Sequence, residues 1–203
     1  MRRMARQMMR TRHEPPTLLR SERKRRLRPI VLVLDVSGSM SDYSRNLLQF
    51  AYSTKRAAGR VEVFCFGTRL TRITPALDRR RPDEAMALAA AQVSDWDGGT
   101  HIGDSIDEFV RRWGRRGMSR GSIVVICSDG LDTGDPATLA DAMERLSRVC
   151  HRIVWMNPHK GDATDFEPST LGMMVAAPFV DSIVSGHNLR SLGEFVDRLP
   201  AMR

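Results

Sequence analysis

Two runs of almost uninterrupted apolar residues give this chain its architecture. They read IVLVLD at 30–35 and SIVVICSD at 122–129. A strand with one face in solvent alternates apolar and polar residues, whereas a strand covered on both faces is apolar throughout. Because both runs end in an aspartate, we expect two central strands that deliver polar side chains at their carboxyl ends.

Helical and strand-like segments alternate along the chain from Pro29 onwards. Amphipathic or alanine-rich patterns predict helices, and short β-branched runs predict strands. The predicted helices cover 42–58, 82–93, 101–113, 136–149 and 188–198, with a helical turn near 169–176. The predicted strands cover 30–35, 61–67, 122–129, 152–156 and 180–184, with an antiparallel edge strand at 68–77. This alternation predicts a doubly wound α/β fold, in which a mostly parallel sheet carries helices on both faces.

The excess positive charge of the chain lies at its N-terminus. The formal net charge is +8, yet residues 1–28 alone hold 11 Lys or Arg against 2 acidic residues, so the remainder is close to neutral. We therefore predict a basic arm or linker over 1–28 and one folded domain over 29–203. The arm contains no aromatic residue that could stack on bases, so nucleic-acid binding is a weaker interpretation than a linker or a contact to an acidic protein.

Composition argues against membrane and secreted classes. No stretch approaches the roughly 18 apolar residues that a membrane span needs, and the basic N-terminus lacks the apolar core of a secretory signal. Cys65, Cys127 and Cys150 are widely spaced and form no C-x-x-C pair, so neither a zinc site nor a disulfide framework is expected. A reducing cytoplasm is the predicted location.

Three separate segments place oxygen-bearing side chains after a strand or in a glycine loop. They are DVSGS at 35–39, GGT at 98–100 and SDG at 128–130. In open α/β sheets, sites form beyond the carboxyl ends of the strands, where the strand order reverses. If the two central strands are neighbours at that point, Asp35 and Asp129 face each other and the loop that carries Thr100 closes over them.

The side chains of Asp35, Ser37, Ser39, Thr100 and Asp129 are together a candidate site for a hard divalent cation. Mg²⁺ prefers about six oxygen ligands and usually keeps several waters. Two carboxylates balance the charge of such an ion and the three hydroxyls add none, so an open position could accept a carboxylate from outside. We predict a metal site and no catalytic residue.

Other interpretations of the same residues stay open from the sequence. Ser37, Ser39 or Thr100 could cap a helix, and Asp129 could be a turn residue before a glycine. Asp35 could instead be the nucleophile of a Mg²⁺-dependent phosphotransferase or phosphatase. Haloacid-dehalogenase-like enzymes of that kind need a second aspartate two residues later, where this chain has Ser37.

Five residues near the candidate ligands have two possible roles each. We predict Asp132 and Asp135 as solvated loop acids, although they could add negative potential near a cation. His101 is predicted as a helix-surface residue, although it could touch a bound partner; hard Mg²⁺ does not favour imidazole as a ligand. Trp96 and Trp155 could anchor a partner or pack in the core.

The motif D-x-S-x-S, followed by a later Thr and a later Asp, resembles the metal-ion-dependent adhesion site (MIDAS) of von Willebrand factor A (VWA) domains. The resemblance covers residues 29 to about 199. Five stretches are similar to the CoxE-like branch of that family: DVSGSMSDYSR, FCFGTRLTRIT, WDGGTHIGDSI, SDGLDTGD and IVWMNPHKGD.

The resemblance implies a role for each candidate ligand and a class of function. Ser37, Ser39 and Thr100 would contact Mg²⁺ (or Mn²⁺), and Asp35 and Asp129 would act directly or through water. A partner protein would supply an Asp or Glu to the ion. The CoxE-like branch further implies a bacterial cytoplasmic protein that works with a MoxR-type AAA+ ATPase to mature or remodel a metalloenzyme or other client complex. The alternatives are the phosphotransferase and a nucleic-acid-associated VWA protein that uses the arm.

Overall fold

The computed structural model describes residues 28–93, 99–114, 117–161 and 166–198, which contain six strands and six α-helices. The strands are β1 (Ile30–Asp35), β2 (Val61–Phe66), β3 (Leu70–Arg72), β4 (Ile123–Cys127), β5 (Arg152–Asn157) and β6 (Ser182–Ser185). The helices are α1 (Ser41–Ala57), α2 (Pro82–Gln92), α3 (Ile102–Phe109), α4 (Pro136–Ser147), α5 (Leu171–Ala176) and α6 (Leu189–Arg198).

The strands form one sheet in the order β3-β2-β1-β4-β5-β6. β3 runs antiparallel to β2, and every other neighbouring pair is parallel. The chain moves outward from β1 through β2 to β3 and then crosses to β4 on the other side of β1. The strand order therefore reverses between β1 and β4, which confirms the predicted doubly wound fold with one antiparallel edge strand.

β1 is buried along its whole length and separates two apolar layers. Leu32 and Leu34 belong to a layer that also contains side chains from α1, α2 and α6. Val31 and Val33 belong to the opposite layer, with side chains from α3, α4 and α5. Because successive strand residues point to opposite faces, a strand covered on both faces is expected to be apolar throughout, and β1 is apolar at every position before Asp35.

β4 ends two residues earlier than the apolar run predicts. Ser128 and Asp129 follow its last residue, and the side chain of each accepts a hydrogen bond from the backbone two residues further on. The N–H of Gly130 donates to the Ser128 hydroxyl at 3.0 Å, and the N–H of Leu131 donates to Asp129 Oδ1 at 2.9 Å. Short polar side chains that bond locally in this way favour a turn over continued strand pairing.

The predicted edge strand at 68–77 and the predicted helix at 101–113 are both shorter in the structure. Strand pairing with β2 covers only Leu70–Arg72. Beyond it, the N–H of Ile73 donates to the carbonyl oxygen of Val63 at 3.0 Å, and the Thr74 hydroxyl accepts the N–H of Val63 at 2.8 Å. Pro75 has no N–H for the ladder, and a 3₁₀ turn follows at Ala76–Asp78. The predicted third helix is α3 followed by one π-helical turn at Val110–Gly114.

The predicted basic arm lies, apart from Arg28, outside the described residues, so the division at residue 28 stays a prediction. Arg28 itself donates from Nη1 to the carbonyl oxygen of Gly121 at 3.3 Å. Within the described ranges, no helix combines the length and the apolar character that crossing a bilayer requires.

Candidate metal centre

Asp35, at the carboxyl end of β1, is fully buried, with 0% exposure. Its Oδ1 accepts a 3.0 Å hydrogen bond from the N–H of Ser37, and its Oδ2 accepts a 2.6 Å bond from the Ser128 hydroxyl. Burial raises the pKa of Asp35 to about 6; hydrogen bonds from both serines oppose the rise, and the charge of Asp129 adds to it. A cation beside this carboxyl group would favour its ionised form.

The hydroxyls of Ser37 and Ser39 lie side by side, with 3.2 Å between their Oγ atoms. Ser37 is the N-cap of the 3₁₀ turn Gly38–Met40, but its side chain makes no capping hydrogen bond. The N-cap of α1 is Met40, not a serine. The helix-capping interpretation of these serines is therefore wrong, and both hydroxyls lie close enough together to face one ligand.

Asp129 lies in the turn after β4 and has one carboxylate oxygen in use. Oδ1 accepts the N–H of Leu131, whereas Oδ2 is buried and makes no hydrogen bond with any described residue. The main-chain oxygen of Asp129 accepts from the Thr170 hydroxyl at 3.1 Å and from Asn157 Nδ2 at 3.4 Å. A buried carboxylate oxygen without a partner is costly, and a bound cation is one way to satisfy it.

Thr100 is attached to the turn after β4 through its main chain. Its carbonyl oxygen accepts from both the N–H and the hydroxyl of Thr133, each at 2.9 Å. It does not cap α3, because the N-cap is His101 and the N–H of Ile102 donates to Oδ1 of Asp132 at 3.1 Å. The capping interpretation of Thr100 is thus also wrong. The buried Thr100 side chain belongs to a segment held against the loop that carries Asp129.

Two positioning residues of the site were not recognised from the sequence. Ser128 lies in the SDG stretch, but its bond to Asp35 depends on the pairing of β1 with β4. Asp132 is half-buried and also accepts the N–H of Gly134 at 3.0 Å, so its prediction as a solvated acid was wrong. The one available signal for Asp132 is the DTGD spacing, which is typical of an aspartate that bonds to the backbone two residues on.

The remaining neighbours have simpler roles. Trp155 is buried and donates from Nε1 to the carbonyl oxygen of Ser128 at 2.9 Å. Of its two predicted roles, packing in the core is therefore confirmed, and Trp155 is not exposed to anchor a partner. His101 pairs with Asp104 at 3.2 Å on the surface of α3, as predicted. Asp135 is exposed and caps α4 by accepting the N–H of Ala137 at 3.2 Å. Trp96 and Gly98 lie outside the described residues.

The chemistry of this donor set fits a hard divalent cation. The structure links Asp35, Ser37 and Ser39 directly, brings Asp129 near Asp35, and ties the Thr100 segment to the same turn. Among the residues that the structure describes, no three His, Cys, Asp or Glu side chains lie together as a metal-binding group, so a metal here would depend on the hydroxyls as well as the carboxylates. Carboxylate and hydroxyl oxygens are ligands of the kind that Mg²⁺ accepts.

Solved structures of VWA proteins share this fold at low sequence identity. A von Willebrand factor type A protein from Catenulispora acidiphila has a TM-score of 0.59 at 19% identity, over 87% of this chain and 42% of that one. Proximal thread matrix protein 1 from the mussel byssus, solved with a zinc-occupied MIDAS motif, has a TM-score of 0.55 at 11% identity, over 87% and 48%. This chain therefore spans less than half the length of either protein.

A third structure is matched over almost its whole length. An aerotolerance-related membrane protein from Bacteroides fragilis has a TM-score of 0.53 at 14% identity, over 86% of this chain and 99% of that one. Comparison with curated proteins gave no match. A family model described as "VWA domain containing CoxE-like protein" matches residues 1–192. The chain belongs to this family of VWA domain containing CoxE-like proteins.

Proposed function

We propose that this chain is a metal-dependent protein-binding module that captures an Asp or Glu of a partner protein. The observation that carries the proposal is the buried, unpartnered Oδ2 of Asp129, which shares the site with two serine hydroxyls that no helix cap uses. Side chains in this state are available to a ligand, and an ion is the ligand that suits buried carboxylate oxygens.

The residues divide into those that would face the ion and those that hold them in place. Ser37, Ser39 and Thr100 offer neutral hydroxyls, and Asp129 offers its free oxygen. Both oxygens of Asp35 already accept hydrogen bonds, so this residue orients the loop and adds negative charge to the site. When bound, a divalent cation would supply an open coordination position for a partner carboxylate.

We propose Mg²⁺, or Mn²⁺, as the bound ion. The all-oxygen donor set suits these hard cations better than softer metals. The zinc-occupied MIDAS of the mussel byssus protein supports a metal at this place in the fold, although zinc itself prefers nitrogen and sulfur ligands.

A catalytic role for Asp35 is less well supported. A nucleophilic carboxylate needs an oxygen free to attack, whereas this residue is fully buried and both its oxygens are engaged. We therefore propose a binding protein and not an enzyme. Mg²⁺-dependent phosphatase turnover that Asp35→Asn abolishes would overturn this choice.

A Ser–His pair at the carboxyl end of β6 is also poorly arranged for catalysis. The hydroxyl of Ser185 lies 2.6 Å from Nδ1 of His187, and Nδ2 of Asn188 lies 2.6 Å from Nε2 of the same ring. Because Asn188 Oδ1 accepts the N–H of Ser191 at 2.9 Å, its Nδ2 is the atom that donates to the ring. Nε2 must then be the acceptor and Nδ1 carries the proton, so a neutral His187 donates to Ser185 and cannot act as its base.

The family suggests the partner. We propose that the carboxylate belongs to a MoxR-type AAA+ ATPase or to its client complex, and that the pair works in the cytoplasm on the maturation or remodelling of that complex. The chain would act as the adaptor between ATPase and client.

Affinity capture from native lysate with immobilised full-length protein tests this proposal. We expect an AAA+ ATPase to be retained in Mg²⁺ and lost in EDTA, and lost in Mg²⁺ when the bait carries Ser37→Ala. A bait without residues 1–28 should retain the same protein, since none of the five candidate ligands belongs to the arm. Retention of the ATPase in EDTA would contradict the proposal, and nucleic acid retained only by the arm would favour the nucleic-acid alternative.

A further inference from the structure

Large apolar side chains are concentrated beside the metal site. Among the described residues, four large hydrophobic side chains are exposed, and three of them lie in the loop after β4 or on α5: Leu131 at 51%, Leu171 at 59% and Met174 at 57%. The fourth, Leu88 at 36%, lies on α2. We call the first three the apolar patch.

Two glycines bring the loop and α5 into direct contact. A Cβ on Gly172 would lie 2.6 Å from the carbonyl oxygen of Gly130, and a Cβ on Gly130 would lie 2.4 Å from Cγ of Met173. The Thr170 hydroxyl also donates to the main-chain oxygen of Asp129. The candidate ligand and the first turn of α5 therefore form one packed unit.

The same packing leaves the apolar patch facing outward. Met173 is buried against the loop, whereas Leu171 and Met174, three residues apart, lie on the other side of α5. Leu131 lies between two residues that contact α5, and its own side chain is half exposed. The patch is thus continuous with the loop that presents Asp129.

We propose that this apolar patch is part of the partner-binding surface, and that its occupant is a partner segment carrying a large apolar side chain within about two residues of the metal-bound Asp or Glu. The inference rests on the proposed function and specifies the partner's chemistry. Leu131 follows Asp129 by two residues, so their Cα atoms lie at most about 7 Å apart. A carboxylate held at the ion therefore brings its neighbouring side chains over the patch.

Charge favours this occupant over a strongly acidic one. The loop itself carries Asp129, Asp132 and Asp135, so the ion is the attractive group for an acidic segment and further carboxylates would meet like charge. A segment with one carboxylate and apolar neighbours avoids that repulsion and covers exposed hydrocarbon. Burial of one leucine side chain strengthens binding by about tenfold or more.

Fluorescence anisotropy with labelled synthetic peptides tests the inference. The first probe is a Gly/Ser peptide with a central Glu. The second is the same peptide with Leu at both positions before and both positions after the Glu. The third is this Leu peptide with Gln in place of the central Glu. We expect the Leu–Glu peptide to bind full-length protein in Mg²⁺ about tenfold or more tightly than the Gly/Ser–Glu peptide. We expect the Gln peptide, and every peptide in EDTA, to lose binding.

Matched variants locate the contact. Leu131→Gln and the double change Leu171→Gln with Met174→Gln should remove the advantage of the Leu–Glu peptide, while Leu88→Gln, at the other exposed leucine, should keep it. Unchanged thermal unfolding and Mg²⁺ affinity in each variant would show that fold and ion site are intact. If the two Glu peptides bound equally well in Mg²⁺ and neither bound in EDTA, the apolar patch would not be part of the binding surface, but the proposed function would stand. Absence of Mg²⁺-dependent binding by either would contradict both.

Discussion

The Ser128 hydroxyl donates a 2.6 Å hydrogen bond to Oδ2 of Asp35, and this bond joins the carboxyl ends of β4 and β1. The two residues are 93 positions apart in sequence and meet where the strand order reverses. With Oδ2 held by Ser128, Oδ1 accepts the N–H of Ser37. The buried carboxyl group thereby fixes the turn that carries the hydroxyls of Ser37 and Ser39.

Ser128→Ala should destabilise the fold through Asp35. The change removes a hydrogen bond to a buried carboxyl group, for which we expect a loss of about 1.5–3 kcal/mol in the free energy of unfolding. It also removes the acceptor of the Gly130 N–H. Urea unfolding in EDTA measures the loss. Ser147→Ala, at an exposed serine on α4, is the control and should change stability little; equal stabilities for the two variants would contradict the role of Ser128.

Ser37→Ala and Thr100→Ala should weaken metal binding and leave the fold intact. Each removes a hydroxyl that no helix cap uses, so little stability depends on it. We expect Mg²⁺ or Mn²⁺ affinity to fall by on the order of tenfold or more in isothermal titration calorimetry. Thermal unfolding in EDTA should match wild type. A variant that unfolds in EDTA would show a structural role instead, and unchanged affinity would remove that residue from the ligand set.

The stability of the metal-free protein should fall as pH rises through the titration of Asp35. Its pKa is about 6 in the folded state against an ordinary 3.8, so the folded state holds this proton more tightly. The contribution favours folding below about pH 4 and is lost as pH rises through about 6, by about 3 kcal/mol in all. Added Mg²⁺ should offset the loss above about pH 6, because a cation favours the ionised carboxylate.

Asp35→Asn isolates this effect, because it keeps the shape of the side chain and removes its titration. Urea unfolding in EDTA across the same pH range should show the difference between wild type and variant changing with pH. A constant difference would mean that Asp35 does not titrate there.

Gly172→Ala should disturb both the fold and the metal site. Its Cβ would lie 2.6 Å from the carbonyl oxygen of Gly130, so α5 must move away from the loop. We expect a loss of about 1–3 kcal/mol on urea unfolding and weaker Mg²⁺ binding, since the first turn of α5 also holds Asp129. Gly59→Ala, where a Cβ meets nothing within 4 Å, should leave both unchanged. If Gly172→Ala bound Mg²⁺ as tightly as wild type, α5 would not contribute to metal binding.

Local patterns predict the fold because a strand that is buried on both faces has an almost continuous apolar sequence. β1 and β4 are central; every residue of β1 before Asp35 and every residue of β4 is apolar. The short β3 illustrates the limit of such patterns, since polar alternation continues past Arg72 but pairing ends there. Edge pairing depends on a single neighbouring strand, and local sequence carries little information about where that neighbour stops.

The sequence alone identifies five oxygen-bearing residues at strand ends and glycine loops, because side-chain chemistry and strand ends are local properties. Tertiary structure decides which of their atoms are free. The Ser128 hydroxyl donates to Oδ2 of Asp35. Asp132 accepts the N–H of Ile102, which Thr100 could otherwise have capped. The contact between Gly130 and Gly172 places exposed apolar side chains beside Asp129. These contacts join segments far apart in the chain, and only the packing of the sheet and helices brings them together.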